Sequence, residues 1–231
     1  MTISIIIPTY SEELLISNLV SYLFLHGNDY LKEIIIANYG NNDGTTTSLK
    51  DTNAIVIQCK KKGRAYQMNE GAALASGDIL YFIHADSLPP KTYCQDILQS
   101  IKKGYNCGRY KTKFSKHNLG LRFNAFFTHF DLFVCYGGDQ TFFITKNLFN
   151  KINGYNENFL IMEDYDITER AKKLSRYCVM NNTCLINTRK YDNASWWQVM
   201  QANKKMIMLY KSKTNQQLMV DTYKKMLAKK N

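Results

Sequence analysis

At 231 residues, 45% of them apolar, the chain can bury one sizeable core, and a single domain is the default. Twelve glycines and three prolines are too few for a long flexible linker, no run of 18 apolar residues offers a membrane-spanning helix, and there is no repeat or low-complexity tract. The formal net charge of +11 directs attention to anionic partners: nucleic acid, an acidic membrane surface or a phosphorylated substrate.

The chain opens on Ile3 to Ile7, an apolar β-branched run stopped by Pro8, which is how a strand buried on both faces of a parallel sheet reads. It has no basic leader and is too short for a signal peptide. Residues 12–25 carry apolar groups at helical spacing, with Ser11 as the expected N-cap and acids in the first turn. The pattern repeats as a strand at 33–37, a turn at Asn41 to Gly44, a strand at 54–59, a helix at about 64–75 and a strong strand at 79–84. Strands alternating with helices predict right-handed crossovers and a mostly parallel sheet covered on both faces, an α/β fold. Past about 105 the alternation weakens. A tract of Tyr, Phe and basic residues over 105–136 leads to a strand at 141–145, a turn at Asn153-Gly154 and a helix over about 163–174. A strand at 183–187 and two helices, Trp196 to Tyr210 and about 215–228, follow.

The six cysteines show no C-x-x-C spacing and several sit in apolar runs, which favours buried thiols in a reduced cytoplasm over disulfides or a zinc site. The positive charge gathers in 200–231, where Lys204, Lys205, Lys211, Lys213, Lys224, Lys225, Lys229 and Lys230 face Asp221 alone. A solvated surface and a face toward an anionic membrane are both open there. The first tail helix is expected to dock on the body, because apolar residues cover most of its circumference. The second, with Leu218, Met219, Tyr223, Met226 and Leu227 among lysines, is the better membrane candidate.

In open α/β sheets ligands lie beyond the carboxyl ends of the strands. Here those ends read Pro8-Thr9-Tyr10-Ser11-Glu12, Asn38 to Thr45, Lys60 to Arg64, and His84-Ala85-Asp86-Ser87. Asp86 ends the most apolar strand, where a carboxylate has no packing reason to be and is suited to sharing a divalent cation with a diphosphate. A helix cap before Leu88-Pro89-Pro90 is the alternative. Lys62-Gly63-Arg64 ahead of a helix suits an anion, while Lys60 and Lys61 read as an exposed charge run.

The segments I-S-I-I-I-P-T-Y-S-E, N-D-G-T, G-R-A-Y-Q-M-N-E-G-A, G-D-I-L-Y-F-I-H-A-D and M-E-D-Y-D, in that order from residue 3 to about 175, resemble family 2 glycosyltransferases. The resemblance is strongest to a bacterial branch with H-A-D at the end of its fourth strand. It implies a single GT-A, Rossmann-like α/β domain with a mostly parallel central sheet and C-terminal helices. Residues up to about 110 would hold the donor, about 111–190 the acceptor, and about 191–231 would form a helical extension. The implied reaction is transfer of a sugar from a nucleotide diphosphate sugar to an acceptor hydroxyl, with inversion and with Mn²⁺ or Mg²⁺ as cofactor.

The same resemblance implies the site. Pro8, Thr9, Tyr10, Glu12, Asn38, Arg64, His84, Ala85 and Asp86 would bind the nucleotide sugar. His84-Ala85-Asp86 stands for the family's D-x-D, with Asp86 the metal ligand, since a hard cation takes oxygen donors, and His84 a positioning group. Asp164 would be the general base that takes the acceptor's proton, with Glu163 and Asp166 in supporting or structural roles. Acids opening a helix also serve its dipole, and that alternative stays open. Gly137-Gly138-Asp139-Gln140 resembles a G-D-Q segment, making Asp139 and Gln140 candidates for orienting a substrate, with a plain turn as the alternative.

Two departures stand out. Asn38 occupies a position where the family commonly has Asp, which removes a charge-assisted contact to the nucleoside. The late Q-x-x-R-W is absent, with Thr188-Arg189-Lys190-Tyr191, Trp196 and Trp197 as its candidate substitute, so a processive polymer synthase is disfavoured. The acceptor is open, a lipid-linked one being a candidate, with peripheral contact at an anionic membrane and no nucleic acid. A sugar-phosphate nucleotidyltransferase needs a glycine-rich loop after strand one, and Pro8 to Glu12 contains no glycine. A nucleic-acid-binding protein would explain the charge and the sixteen tyrosines but leaves Asp86 and Asp164 without a purpose.

Overall fold

The computed structural model describes residues 1–40, 44–116, 118–137, 140–192 and 194–228, with Lys190 described in its backbone alone. Its centre is a parallel block made of β1 (Ile3–Thr9), β2 (Leu31–Asn38), β3 (Ile55–Gln58) and β4 (Ile79–Phe82), in the order β3-β2-β1-β4. All seven residues of β1 are buried. That is why its sequence is continuously apolar rather than alternating: helices cover both faces. On one face Ile3, Ile5, Ile7, Ile34 and Ile36 pack with α1 (Glu13–Gly27) and α4 (Tyr93–Lys102) through Ile16, Leu19, Leu23, Tyr93 and Ile97. On the other, Ile6, Ile35, Leu80 and Phe82 pack with α3 (Arg64–Leu74) and α7 (Glu163–Leu174) through Ala65, Met68, Ala72, Ile167 and Ala171. A four-residue α2 (Thr45–Ser48) lies between β2 and β3.

Beyond β4 the sheet becomes mixed. It continues through β7 (Phe142–Thr145), β6 (Cys107–Phe114), β8 (Tyr177–Ile186) and the two-residue β5 (Ser87–Leu88), giving eight strands in one sheet. β7 runs antiparallel to β4 and β6, β6 and β8 are parallel, and β5 is antiparallel to β8. The 105–136 tract therefore holds an inner strand, β6, and a helix, α5 (Leu119–Phe127), neither of which the sequence pattern separated. Arg109 explains part of this. It reads as a surface base but is 1% exposed, and its guanidinium donates to the carbonyls of Tyr110, Thr128 and Phe130 at 3.2, 2.9 and 2.9 Å. A cation at the C-terminal end of α5 takes up carbonyls the helix leaves unbonded. β8 likewise begins six residues before the strand expected at 183–187, and α6 (Lys146–Lys151) follows β7 directly.

Ser11 is not the cap of α1. The cap position is Glu12, without a side-chain capping bond, and Ser11 adopts φ 54° as the chain turns out of β1. Most of the turn expected at Asn41 to Gly44 lies outside the described residues; Gly44 itself has φ 77°. The turn at Asn153-Gly154 forms with both residues at positive φ, 58° and 61°.

In the tail, α8 (Trp196–Lys211) opens with a capping box between Ser195 and Gln198. α9 (Gln216–Leu227) packs beside it, with Met206 and Met219 sharing a core with Tyr136, Met162 and Tyr165. Docking is thus the fate of both helices. The apolar stripe of α9 that suggested a bilayer is turned instead onto the body through Met219 and Tyr223, leaving Leu218 exposed. Among the described residues no helix is long and apolar enough to cross a membrane. The six cysteines are free thiols, five of them buried.

Candidate functional site

A cleft of about 300 Å³ opens at the carboxyl ends of β1 and β4, lined by Pro8, Thr9, Tyr10, Glu12, Arg64, Gln67, His84, Ala85 and Asp86. Eight of the nine residues expected at the donor site meet there. Asn38 does not: it is fully buried, its Oδ1 accepting from Thr9 Oγ1 at 3.0 Å and its Nδ2 donating to the Gly40 carbonyl at 3.2 Å. It ties the ends of β1 and β2 together beneath the cleft. Gln67, one turn into α3, does the same from the other side, donating through Nε2 to the carbonyls of Thr9 (2.8 Å) and Ala37 (2.7 Å). A glutamine on the apolar face of an otherwise amphipathic helix was the signal that could have singled it out.

The rim of the cleft is basic and aromatic. Tyr10 is half exposed, and Lys62 Nζ sits 4.1 Å from its ring centroid. Gly63, the residue before α3, has φ 144°, a backbone state that L side chains rarely adopt, and it aims the first turn of α3 at the cleft. Arg189 reaches in from the far half of the chain, its Nη2 donating to both Glu12 carboxylate oxygens at 2.9 Å. His84 and Asp86 follow β4 in a turn that is partly exposed, and the Asp86 carbonyl accepts from Asn187 N at 2.9 Å, fixing the turn to the end of β8.

Arg64 is also the wall of a second cavity, about 150 Å³, lined by Asp164, Tyr165, Met162, Gly137, Asn203 and Met206 among others. Asp164 is 9% exposed and Glu163 2%. Arg64 Nε lies 2.7 Å from Glu163 Oε1, yet neither Glu163 oxygen has a well-aligned hydrogen bond, so this buried carboxylate is held by charge. Asp166 belongs to a different pair, bridged by Arg170 Nε and Nη2 at 2.8 and 2.6 Å within α7. Tyr155 is buried beside this group; burial, and then the negative charges of Asp164 and Glu163, push its hydroxyl well above the usual range and keep it protonated. The helix carrying these acids starts from Met162 at φ 70° with no side-chain cap, a backbone strain placed at the cavity wall.

Asp139 lies outside the described residues, as does Gly138. Gln140 lines a third, larger cavity, and its Oε1 is buried without a hydrogen-bond partner among the described residues. Gly137 borders both this cavity and that of Asp164; a Cβ there would lie 1.8 Å from Tyr165 Cε2, so only glycine lets the backbone pass the ring.

The model of the family described as Glycosyl transferase family 2 matches residues 4–158, more than half of the chain. Solved structures with the same fold include residues 1–349 of TarS from S. aureus (16% identity, TM-score 0.59, covering 87% of this chain and 64% of that one). The mannosyltransferase PcManGT from Pyrobaculum calidifontis in complex with GDP-Man and Mn²⁺ aligns at 15% identity and TM-score 0.68, over 91% of this chain and 63% of that one. Glucosyl-3-phosphoglycerate synthase from Mycobacterium tuberculosis, in complex with Mn²⁺, UDP and glucosyl-3-phosphoglycerate, aligns at 15% identity and TM-score 0.59, over 92% and 80%. The chain thus spans less than two thirds of the TarS and PcManGT chains. At these identities the likeness is one of fold.

Proposed function

The chain belongs to glycosyl transferase family 2, and from that premise we propose that it moves a sugar from a nucleoside diphosphate onto an acceptor hydroxyl, inverting the anomeric carbon, with Asp164 as general base. The observation that carries this reading is Arg64, which walls both the cleft holding Asp86 and the cavity holding Asp164. That shared wall supports a donor and a base close enough for a single displacement. Asp164 takes the proton of the acceptor hydroxyl as its oxygen attacks the anomeric carbon; the bond from that carbon to the diphosphate breaks and its electron pair leaves with the phosphate oxygen. Arg64, positioned by Glu163, presents positive charge toward the diphosphate.

The residues fit a divalent ion. His84 and Asp86 offer one imidazole and one carboxylate; neither here nor elsewhere among the described residues do three or more His, Cys, Asp or Glu gather. A Mg²⁺- or Mn²⁺-type site built on one or two protein ligands takes its other oxygens from substrate phosphate and water. When bound, such an ion supplies the positive charge that stabilises the leaving diphosphate. The complexes of the fold neighbours with GDP-Man and Mn²⁺, and with UDP and Mn²⁺, support this assignment.

A thermal-shift screen of UDP-, GDP- and dTDP-sugars with Mn²⁺ tests the reading. The cognate donor at 100 times its dissociation constant should add about 2.7 kcal/mol, raising Tm by roughly 5–10 °C. A shift produced by nucleoside triphosphates but by no nucleotide sugar would point to nucleotidyl transfer instead. Peripheral contact with an anionic bilayer would rest on Lys204, Lys205, Lys211, Lys224 and Lys225, all exposed, at about 1 kcal/mol each. Co-sedimentation with anionic but not neutral vesicles, weakened by salt, is the expected result; equal sedimentation with both, or with neither, removes that contact from the account.

A further inference from the structure

The three cavities adjoin in a track of shared wall residues. The donor cleft shares Arg64 with the Asp164 cavity, which in turn shares Val134, Gly137 and Asn203 with the third cavity, enclosed by β6, α5 and α8. The third measures about 550 Å³, the size of a small-organic-ligand site, and its walls include Phe114, Phe127, Ile186, Met200 and Ile207. Its mouth is apolar as well: Phe123, Val134 and Met208 line it and are 56%, 56% and 54% exposed, next to Lys204 and Lys211. A cavity this apolar that still meets water at an apolar mouth calls for an apolar occupant. A free sugar would lose water from its hydroxyls against walls that return few hydrogen bonds.

We propose that this cavity holds the apolar chain of an amphiphilic acceptor, whose hydroxyl reaches Asp164 past Val134, Gly137 and Asn203. The proposal rests on the reading of Asp164 as the base, and it names the acceptor class that reading left open. The track supplies the order: chain in the apolar cavity, hydroxyl at Asp164, donor beyond Arg64. Gln140, whose buried Oε1 has no hydrogen-bond partner among the described residues, lines the cavity together with Thr112, Asn124 and Thr128.

The probe is N-phenyl-1-naphthylamine, a fluorophore that brightens on leaving water, displaced from the intact chain by n-alkyl β-D-glucosides kept below their micelle concentrations. Displacement should strengthen about threefold to fourfold per added methylene, and methyl β-D-glucoside should not compete. Phe123→Glu and Met208→Glu alter exposed side chains at the mouth, so each should weaken octyl glucoside by about tenfold or more without lowering Tm or changing the donor-induced thermal shift. Leu218→Glu, exposed on α9 and not part of the cavity wall, should leave displacement unchanged. Repeating the titration with the glucoside held in phosphatidylcholine vesicles separates two sources of the same chemistry: displacement only by the dispersed form marks a free amphiphile, and displacement by both marks a bilayer-resident one. Equal competition by methyl and octyl glucosides, no competition by either, or full competition in both mouth variants overturns the proposal. A donor shift that persists beside such a failure sinks the acceptor assignment alone, whereas an absent donor shift sinks the catalytic reading.

Discussion

Asp164→Asn should reduce sugar transfer by about 100-fold or more while donor affinity stays within about twofold, because the substitution removes a proton acceptor and almost no volume. A 100-fold loss corresponds to about 2.7 kcal/mol of transition-state stabilisation, within what general-base catalysis supplies. The rival role for this residue is to serve the positive end of α7. That role is already filled on either side, since Glu163 pairs with Arg64 and Asp166 with Arg170, both inside the first turn. Single-turnover rates with a saturating donor, set beside the melting temperature, separate the two. If turnover falls less than about threefold while Tm drops, Asp164 supports the helix and another group is the base.

Asp86→Ala should abolish the Mn²⁺-dependent part of donor affinity and lower transfer by roughly 100-fold or more, since charge stabilisation at a leaving oxygen is worth several kcal/mol. The fold should survive. Asp86 is partly exposed in the turn after β4, and its backbone carbonyl, bonded to Asn187 N at the end of β8, is retained in alanine. Titrating the donor with and without Mn²⁺ in wild type and variant gives the comparison. Equal donor affinity and an equal response to Mn²⁺ in both proteins would rule out Asp86 as a ligand.

The N-terminal half was legible because its physics is local and one-dimensional. Ile5 to Ile7, Ile34 to Ala37 and Ile79 to Ile83 are apolar without alternation, which a doubly covered parallel strand explains, and polar residues at their carboxyl ends mark the cleft where such sheets bind ligands. The C-terminal half was not. β6 carries Arg109, Lys111 and Lys113 and so lacks the apolar signature of an inner strand, while β8 mixes buried Met180 and Cys184 with exposed asparagines. Their places depend on strand partners far along the chain, such as Cys107 beside Tyr177, which no local pattern encodes.

Asn38 and Gln67 show the same division at the scale of single side chains. Residue type and position put Asn38 among candidates for touching the donor, but only the approach of Thr9 and Gly40 engages both ends of its amide below the cleft. Arg189 was one of several possible late basic residues until the chain's return brought it onto Glu12, 177 positions away. What the sequence by itself determined is the parallel core, the polar turns that carry His84, Asp86 and Arg64, and the acids opening α7, because each follows from burial period or charge at a strand or helix end. What only the tertiary structure decided is that Arg64 joins the two sites, that the tail helices close over Tyr136 and Tyr165, and that an apolar cavity adjoins Asp164. Those are contacts between segments distant along the chain, and their geometry is set by packing rather than by any neighbour in sequence.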